Sequence, residues 1–549
     1  MPAPLLSIRN LCASHGPARV LHDINLDLQA GQSLGLIGES GSGKSLTALA
    51  CLGLTPDGID PVGSIRYQDI ELMQLDEEGW RAVRGRKIGI VFQDPMASLN
   101  PIMTLGAQIL ENLKPMPGDS RAYRRARAIK LLDEVGLPDP AAMLGRHPFE
   151  LSGGQQQRAM IAMTLAAEPA LLIADEPTTA LDVTTQAQIL GLLRGIQRQR
   201  RMAMLFISHD LDAVRTMSDR VAVMCGGRLV EQGPAREVLL APRHDYTRTL
   251  MAAHAPQPLK RRHAPASAET AIELDGVCVD YGRWKPKRAL EQVTLQVRAG
   301  ATLGIAGESG SGKSTLAQAI MGLLEPSAGS VRVFGLNPAA RRGRRAFAAT
   351  CQYVFQDTSG SLNPRRTLLQ TLSEPLLARG LPRASLREHC IAMLEDVGLA
   401  PDLLARFPHQ ISGGQRQRVV IARALAMQPR VLICDEPVSA LDASVRNQIL
   451  ALLARLRDQH GLTLVFIGHD LGVMASLADD ILVMRRGRVV EHGEATRVFA
   501  NPGHPYTREL LDASRLSDTP SPAPQARAAR RQPRATTLAS GFGQQALFT

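Results

Sequence analysis

No apolar run in this sequence is long enough to cross a bilayer. A spanning helix needs about 18–20 consecutive apolar residues, and no stretch approaches that length. The opening segment, MPAPLLSIRN, has neither the basic start nor the long apolar core of a secretory leader, so the chain is expected to stay in the cytosol. Cysteine is sparse: seven residues are scattered from Cys12 to Cys434 with no close pair. That excludes zinc-ligand spacing and a disulfide framework and leaves reduced, structural thiols. Aromatic residues make up only 3%, too few for the stacking platforms of single-strand-binding proteins.

The remaining composition is that of ordinary globular protein, with 44% hydrophobic and 21% charged residues. A chain of 549 residues exceeds one core and suits two or more domains. The net charge of +11 suits an anionic partner. Nucleotides, an anionic membrane leaflet and nucleic acid all fit, as does an arginine-rich composition with no such partner.

The octapeptide GESGSGKS occurs twice, at 38–45 and at 307–314. Each copy fits G-x-x-x-x-G-K-[ST], follows a short apolar stretch (LGLI, LGIA) and precedes a helix-like run. Backbone N–H groups of Gly38, Glu39, Ser40, Gly41, Ser42 and Gly43 are suited to close around phosphate oxygens at a helix N-terminus. Gly307, Glu308, Ser309, Gly310, Ser311 and Gly312 repeat the arrangement. Lys44 and Lys313 are expected to reach the β- and γ-phosphates, and Ser45 and Ser314 to ligate Mg²⁺.

The rest of the chain is duplicated too. Gln93, Ser152, Asp175, His209 and Tyr246 return as Gln356, Ser412, Asp435, His469 and Tyr506. Six fewer residues separate Gly307 from Gln356 than Gly38 from Gln93, and three fewer again lie before the serine; beyond it the copies run in step. Residues 1–30 alternate in strand fashion around the turn GPAR, KIGIVFQ reads as a buried strand ending at Gln93, and 103–145 carries helical periodicity broken by PMPG. Strands alternating with helices predict an α/β fold with a mainly parallel sheet covered on both faces. The predicted domains are 1–250 and 271–515, joined by an Ala/Pro/basic linker at 251–270 and followed by a basic, disordered tail at 516–549. The tail arginines, including Arg530 and Arg531, either touch anionic lipid or are simply solvated.

Each half also carries an acidic pair at the end of an apolar strand, Asp175–Glu176 in ALLIADEP and Asp435–Glu436 in VLICDEP. The aspartates stand where a Mg²⁺ ligand is needed, and the glutamates are placed to polarise an attacking water. LSGGQ at 151–155 and ISGGQ at 411–415 put a serine and two glycines at a helix start. These pentapeptides resemble the signature motif of ATP-binding-cassette ATPases, and the other landmarks follow that family's order over nearly all of 1–515.

The resemblance implies tandem cassettes, each with a mainly parallel core sheet, an antiparallel β subdomain and a helical subdomain. It makes Gln93 and Gln356 the Q-loop glutamines, which also approach the metal, and His209 and His469 the switch histidines. Glu176 and Glu436 become the catalytic bases, and TALD (179–182) and SALD (439–442) the D-loops. The resemblance also implies that the cassettes pair head to tail. One ATP site would combine Lys44 and Glu176 with Ser412, Gly413, Gly414 and Gln415, and the other Lys313 and Glu436 with Ser152, Gly153, Gly154 and Gln155. Both sets are complete, so two hydrolytic sites are expected. Tyr281 fits the adenine-stacking aromatic, whereas the first half has His15, a weaker stacker; Gly468 replacing Ser208 is expected to matter little.

FQDPMASLNP and FQDTSGSLNP, with HDYTRTLMAA at 244–253 and HPYTRELLDA at 504–513, are similar to the fused ATPases of dipeptide, oligopeptide, nickel and glutathione importers. This implies two separate permease subunits, an extracytoplasmic solute-binding protein, residence at the inner membrane surface and no nucleic-acid partner. Many of those relatives carry a cysteine cluster after the C-terminal motif; no cysteine follows Cys434 and none lies between Cys225 and Cys278, so no iron–sulfur centre is expected. Other small-solute or metal importers remain alternatives, as does a ribosome-acting twin-cassette ATPase, although its long charged linker is missing.

Overall fold

The computed structural model describes residues 3–116, 118–179, 181–254, 269–282, 286–340, 343–438, 441–468 and 470–515. The predicted linker lies mostly outside the described residues, as do the tail and His469.

Each half is built around a six-stranded sheet. In the first, the strand order is Arg228–Pro234, Arg220–Cys225, Ser33–Ile37, Ala203–Ile207, Leu171–Asp175, Ile88–Val91. All neighbours run parallel except the first pair, an antiparallel hairpin. The second half repeats this with Arg488–Glu494, Asp480–Arg485, Thr302–Ala306, Thr463–Ile467, Val431–Asp435 and Cys351–Val354. The central strands are apolar at nearly every position because both faces are covered: Ser33–Ile37, Leu171–Asp175 and Ala203–Ile207 are buried throughout.

Alternating sequences build the second layer. Leu6–His15 pairs antiparallel with Ala18–Leu28 and with Ile59–Tyr67, and Thr270–Tyr281 with Lys287–Arg298 and Ala328–Val333. The turn read from GPAR is tighter than expected, with strand resuming at Ala18. The strand read from KIGIVFQ covers only Ile88–Val91, so Gln93 stands beyond the sheet edge, exposed. Helices Leu105–Asn112 and Arg121–Glu134 pack on Gly153–Leu165, forming the helical layer. The fold class is therefore as expected from the sequence.

The halves touch through their late helices. Asp245–His254 of the first packs on Ala443–His460 of the second, and Pro505–Arg515 packs on Val183–Arg200.

Candidate functional site

Strand Ser33–Ile37 delivers the first glycine-rich loop to the sheet's C-terminal edge, and helix Lys44–Ala50 leaves it. Gly38 has φ 151°, and a Cβ there would lie 2.2 Å from Met224 O; Gly307 stands likewise, 2.3 Å from Met484 O. Only glycine lets the loop pass this close to the neighbouring strand. Lys44 Nζ bends back over the loop and donates to Gly38 O at 2.9 Å and Glu39 O at 2.8 Å. Lys313 does the same with Gly307 O and Glu308 O, both at 2.8 Å. Burial lowers both lysine pKa values, and the facing carboxylates oppose that shift.

Strand pairing places the acidic residues. Asp175 is in register with Ile207, and Asp435 with Ile467. The chain then turns through Glu176 (φ 47°) and Glu436 (φ 46°), a left-handed conformation unusual for glutamate. Glu176 N–H donates back to Ile207 O at 2.9 Å, and Glu436 N–H to Ile467 O at 3.0 Å. This reversal aims each carboxylate away from its strand. Gln93 Nε2 donates to Glu176 Oε2 at 3.0 Å, Thr179 Oγ donates to the same oxygen at 2.9 Å, and His209 Nδ1 lies 3.2 Å from Oε1. Gln356 Nε2 donates to Glu436 Oε2 at 2.8 Å. Gln93 and Gln356 thus meet the proposed bases.

Ser45 Oγ donates to Asp175 Oδ1 at 3.1 Å, so the two expected metal ligands meet in the first half. In the second, Asp435 Oδ1 is buried and accepts no hydrogen bond among the described residues. Burial raises the pKa of both aspartates; Ser45 and Lys44 pull Asp175 the other way, as Tyr353, Ser314 and Lys313 pull Asp435. A divalent cation fits this donor set, because it would offset the cost of the buried charge. No group of three or more His, Cys, Asp or Glu side chains surrounds a point among the described residues, so a cation here would draw its other ligands from serine, phosphate and the expected Gln93 or Gln356 amide oxygen. One difference escaped the sequence reading: Tyr353 OH donates to Asp435 Oδ2 at 2.6 Å, where the first half has Ile90.

Ser152 and Ser412 cap helices Gly153–Leu165 and Gly413–Leu425. Each serine N–H donates to the glutamine of its own pentapeptide, Gln155 Oε1 at 3.0 Å and Gln415 Oε1 at 2.9 Å, and each glutamine N–H returns a bond to the serine hydroxyl. The serines are exposed at these helix starts. Arg158 and Arg418, not singled out from sequence, tie the same helices to Val135 O and Val397 O and to Gln188 and Gln448. Their only sequence signal is identical placement in both copies. Tyr281 is exposed, with its hydroxyl 3.4 Å from Thr315 Oγ.

Asp182 and Asp442 cap helices Val183–Arg200 and Ala443–His460. Across the halves, the charges of Asp442 and Asp182 are among those that oppose the lowering of the Lys44 and Lys313 pKa values by burial. A cleft joining the halves is lined by Gly38, Glu39, His209 and His254 from one and by Asp442 and Ser444 from the other.

The ABC transporter family matches residues 21–179 and 290–439. The chain belongs to the ABC transporter family. It carries two of that family's ATPase cassettes. The oligopeptide/dipeptide transporter C-terminal region matches twice more, at 230–279 and 490–541, which places the chain among the fused ATP-binding subunits of that group. An uncharacterized ABC transporter ATP-binding protein, YejF, from Escherichia coli K12 is 43% identical, covering 94% of this chain and 100% of its own. The peptidoglycan transport ATP-binding protein YejF of Agrobacterium fabrum is 43% identical over 93% of this chain and 96% of its own. The glutathione import ATP-binding protein GsiA of Escherichia coli K12 is 40% identical over 92% and 88%. Among the described residues of this ATPase no helix is long and apolar enough to cross a membrane.

Proposed function

We propose that this ATPase powers import of peptides or peptide-containing solutes through two separate permease subunits, from the cytoplasmic face of the membrane. The observation that carries the reading is the cleft in which Asp442 and Ser444 of one half meet Gly38 and Glu39 of the other half's glycine-rich loop, which supports composite sites shared by cassettes at about 1–250 and 271–515. The cargo class is drawn from the named relatives, whose glutathione and peptidoglycan both contain peptide. The matched C-terminal regions support the same class.

Loop N–H groups and Lys44 bind the ATP phosphates, Lys44 exchanging Gly38 O and Glu39 O for phosphate oxygens. Mg²⁺, held by Ser45 and Asp175 or by Ser314 and Asp435, supplies charge neutralisation when bound. Glu176 accepts the proton of the attacking water, while His209, Thr179 and Gln93 hold its carboxylate in place. Gln93 also reports to the exposed segment after it, where Ile102 is 84% exposed. That segment and its counterpart after Gln356 receive the permease subunits.

Purification of the tagged chain from native membranes in mild detergent, with mass spectrometry of its partners, tests this. Two polytopic permeases with a peptide-class binding protein are expected. Ribosomal proteins without a permease would overturn the reading.

A further inference from the structure

The hydrolysis chemistry leaves the C-terminal segments at 244–253 and 504–513 without a role, yet both touch the phosphate loops. Tyr246 OH accepts the N–H of Glu39 at 3.1 Å, and Tyr506 OH accepts the N–H of Glu308 at 3.0 Å. Those glutamates are the second residues of the loops, and their carbonyls accept from Lys44 and Lys313 at 2.8 Å. One loop residue is thus gripped by tyrosine at its amide and by lysine at its carbonyl.

Each tyrosine is seated by its own half. Tyr246 N–H donates to His244 Nδ1 at 3.1 Å, and His244 N–H donates to Glu231 at 3.1 Å. Tyr506, His504 and Glu491 repeat both distances. Burial pushes the Tyr246 phenol up to about 12, so it is neutral at physiological pH. The same helices then reach across the joint. Asp245–His254 packs on the helix that Asp442 caps, where Asn447 Nδ2 donates to Ala253 O at 2.5 Å; Pro505–Arg515 packs on the helix that Asp182 caps. Each tyrosine therefore sits on a helix that touches its own phosphate loop and also packs on the opposite half's helix.

We propose that Tyr246 and Tyr506 are positioning residues whose hydroxyls hold each phosphate loop in register with the opposite cassette, so that both halves set nucleotide affinity. This rests on the glycine-rich loops being the ATP sites.

The test is the double variant Tyr246→Phe/Tyr506→Phe in the full chain, which keeps both rings and removes only the hydroxyls. Its Kd for a fluorescent Mg²⁺–ATP analogue and its KM for ATP should rise about tenfold, equivalent to about 1.4 kcal/mol. Its kcat should stay within about twofold, the split expected when binding rather than chemistry is altered. Tyr246→Phe alone should weaken one of two binding phases. Unchanged Kd and KM overturn the proposal, as does a lower kcat and melting temperature at unchanged KM, the mark of a merely structural role. Lys44→Ala/Lys313→Ala is titrated alongside. If binding survives it, the ATP-site reading fails; if binding is lost there but unmoved by the tyrosine changes, only the tyrosine proposal fails.

Discussion

His209 Nδ1 stands 3.2 Å from Glu176 Oε1 across the strand ends of the first cassette. Burial alone pushes the Glu176 carboxyl up, but hydrogen bonding and charge from His209, with Thr179 and Lys44, outweigh it and hold the carboxyl below its ordinary range. A base kept ionised in this way contributes stability that is present above the unfolded carboxyl pKa of about 4.3 and is lost as pH falls through the folded value. His209→Ala should therefore move the acid limb of kcat at this site to higher pH. It should also lower turnover by about 10²-fold or more, as expected for a disturbed general base. A kcat–pH profile in a Glu436→Gln background measures both.

Asp175 and Asp435 have the opposite sign. Burial raises their pKa values, so ionisation costs the folded state, and the cost appears as pH rises through the folded value. Asp175→Asn should raise the melting temperature of the nucleotide-free protein by a few degrees at neutral pH, with the gain vanishing in acid. The further stabilisation by Mg²⁺ with ATP should shrink. Thermal melts across pH, with and without Mg²⁺–ATP, check this.

The helices capped by Ser152 and Ser412 leave no room for a methyl group at their second glycine. A Cβ on Gly154 would lie 2.7 Å from Thr185 Cγ2, and one on Gly414 would lie 2.5 Å from Val445 Cγ1. Gly414→Ala should cost about 1–3 kcal/mol by overpacking. It should also displace the D-loop helix, lowering turnover. Gly154→Ala should be milder, because its contact is longer. Urea unfolding compared with ATPase rates decides this.

The Tyr353–Asp435 contact has no counterpart in the first half. Tyr353→Phe should take a charge-assisted hydrogen bond away from a buried carboxylate and cost about 1–3 kcal/mol. Ile90→Ala, at the matching position, would instead lose only apolar packing. Denaturant unfolding of each variant at neutral pH and near pH 4 separates the two, since only the Tyr353 loss should shrink when the carboxylate is protonated.

Much of this was legible in the sequence because local physics dictates it. Strand Leu171–Asp175 is buried on both faces, so its apolar run could end only in a residue with a special task. Gly38 is fixed by a backbone approach that any Cβ would block. What stayed hidden depends on contacts between distant segments. The Gln93–Glu176 hydrogen bond spans 83 residues and the Glu39–Tyr246 bond 207, and neither has a local pattern. Tyr353 escaped notice because an apolar strand accommodates tyrosine or isoleucine equally well until its hydroxyl finds a partner. Arg158 and Arg418 escaped for the same reason: an arginine on an amphipathic helix reads as a solvated side chain.

The central claim is that Glu176 and Glu436 are the bases of two ATP sites within one chain. Glu176→Gln/Glu436→Gln, purified and supplied with Mg²⁺–ATP, tests it most directly by counting retained nucleotide alongside the turnover rate. The account predicts two unhydrolysed ATP molecules per chain and a rate reduced by about 10²–10⁴-fold. Turnover at the wild-type rate would contradict it, and so would retention of a single nucleotide.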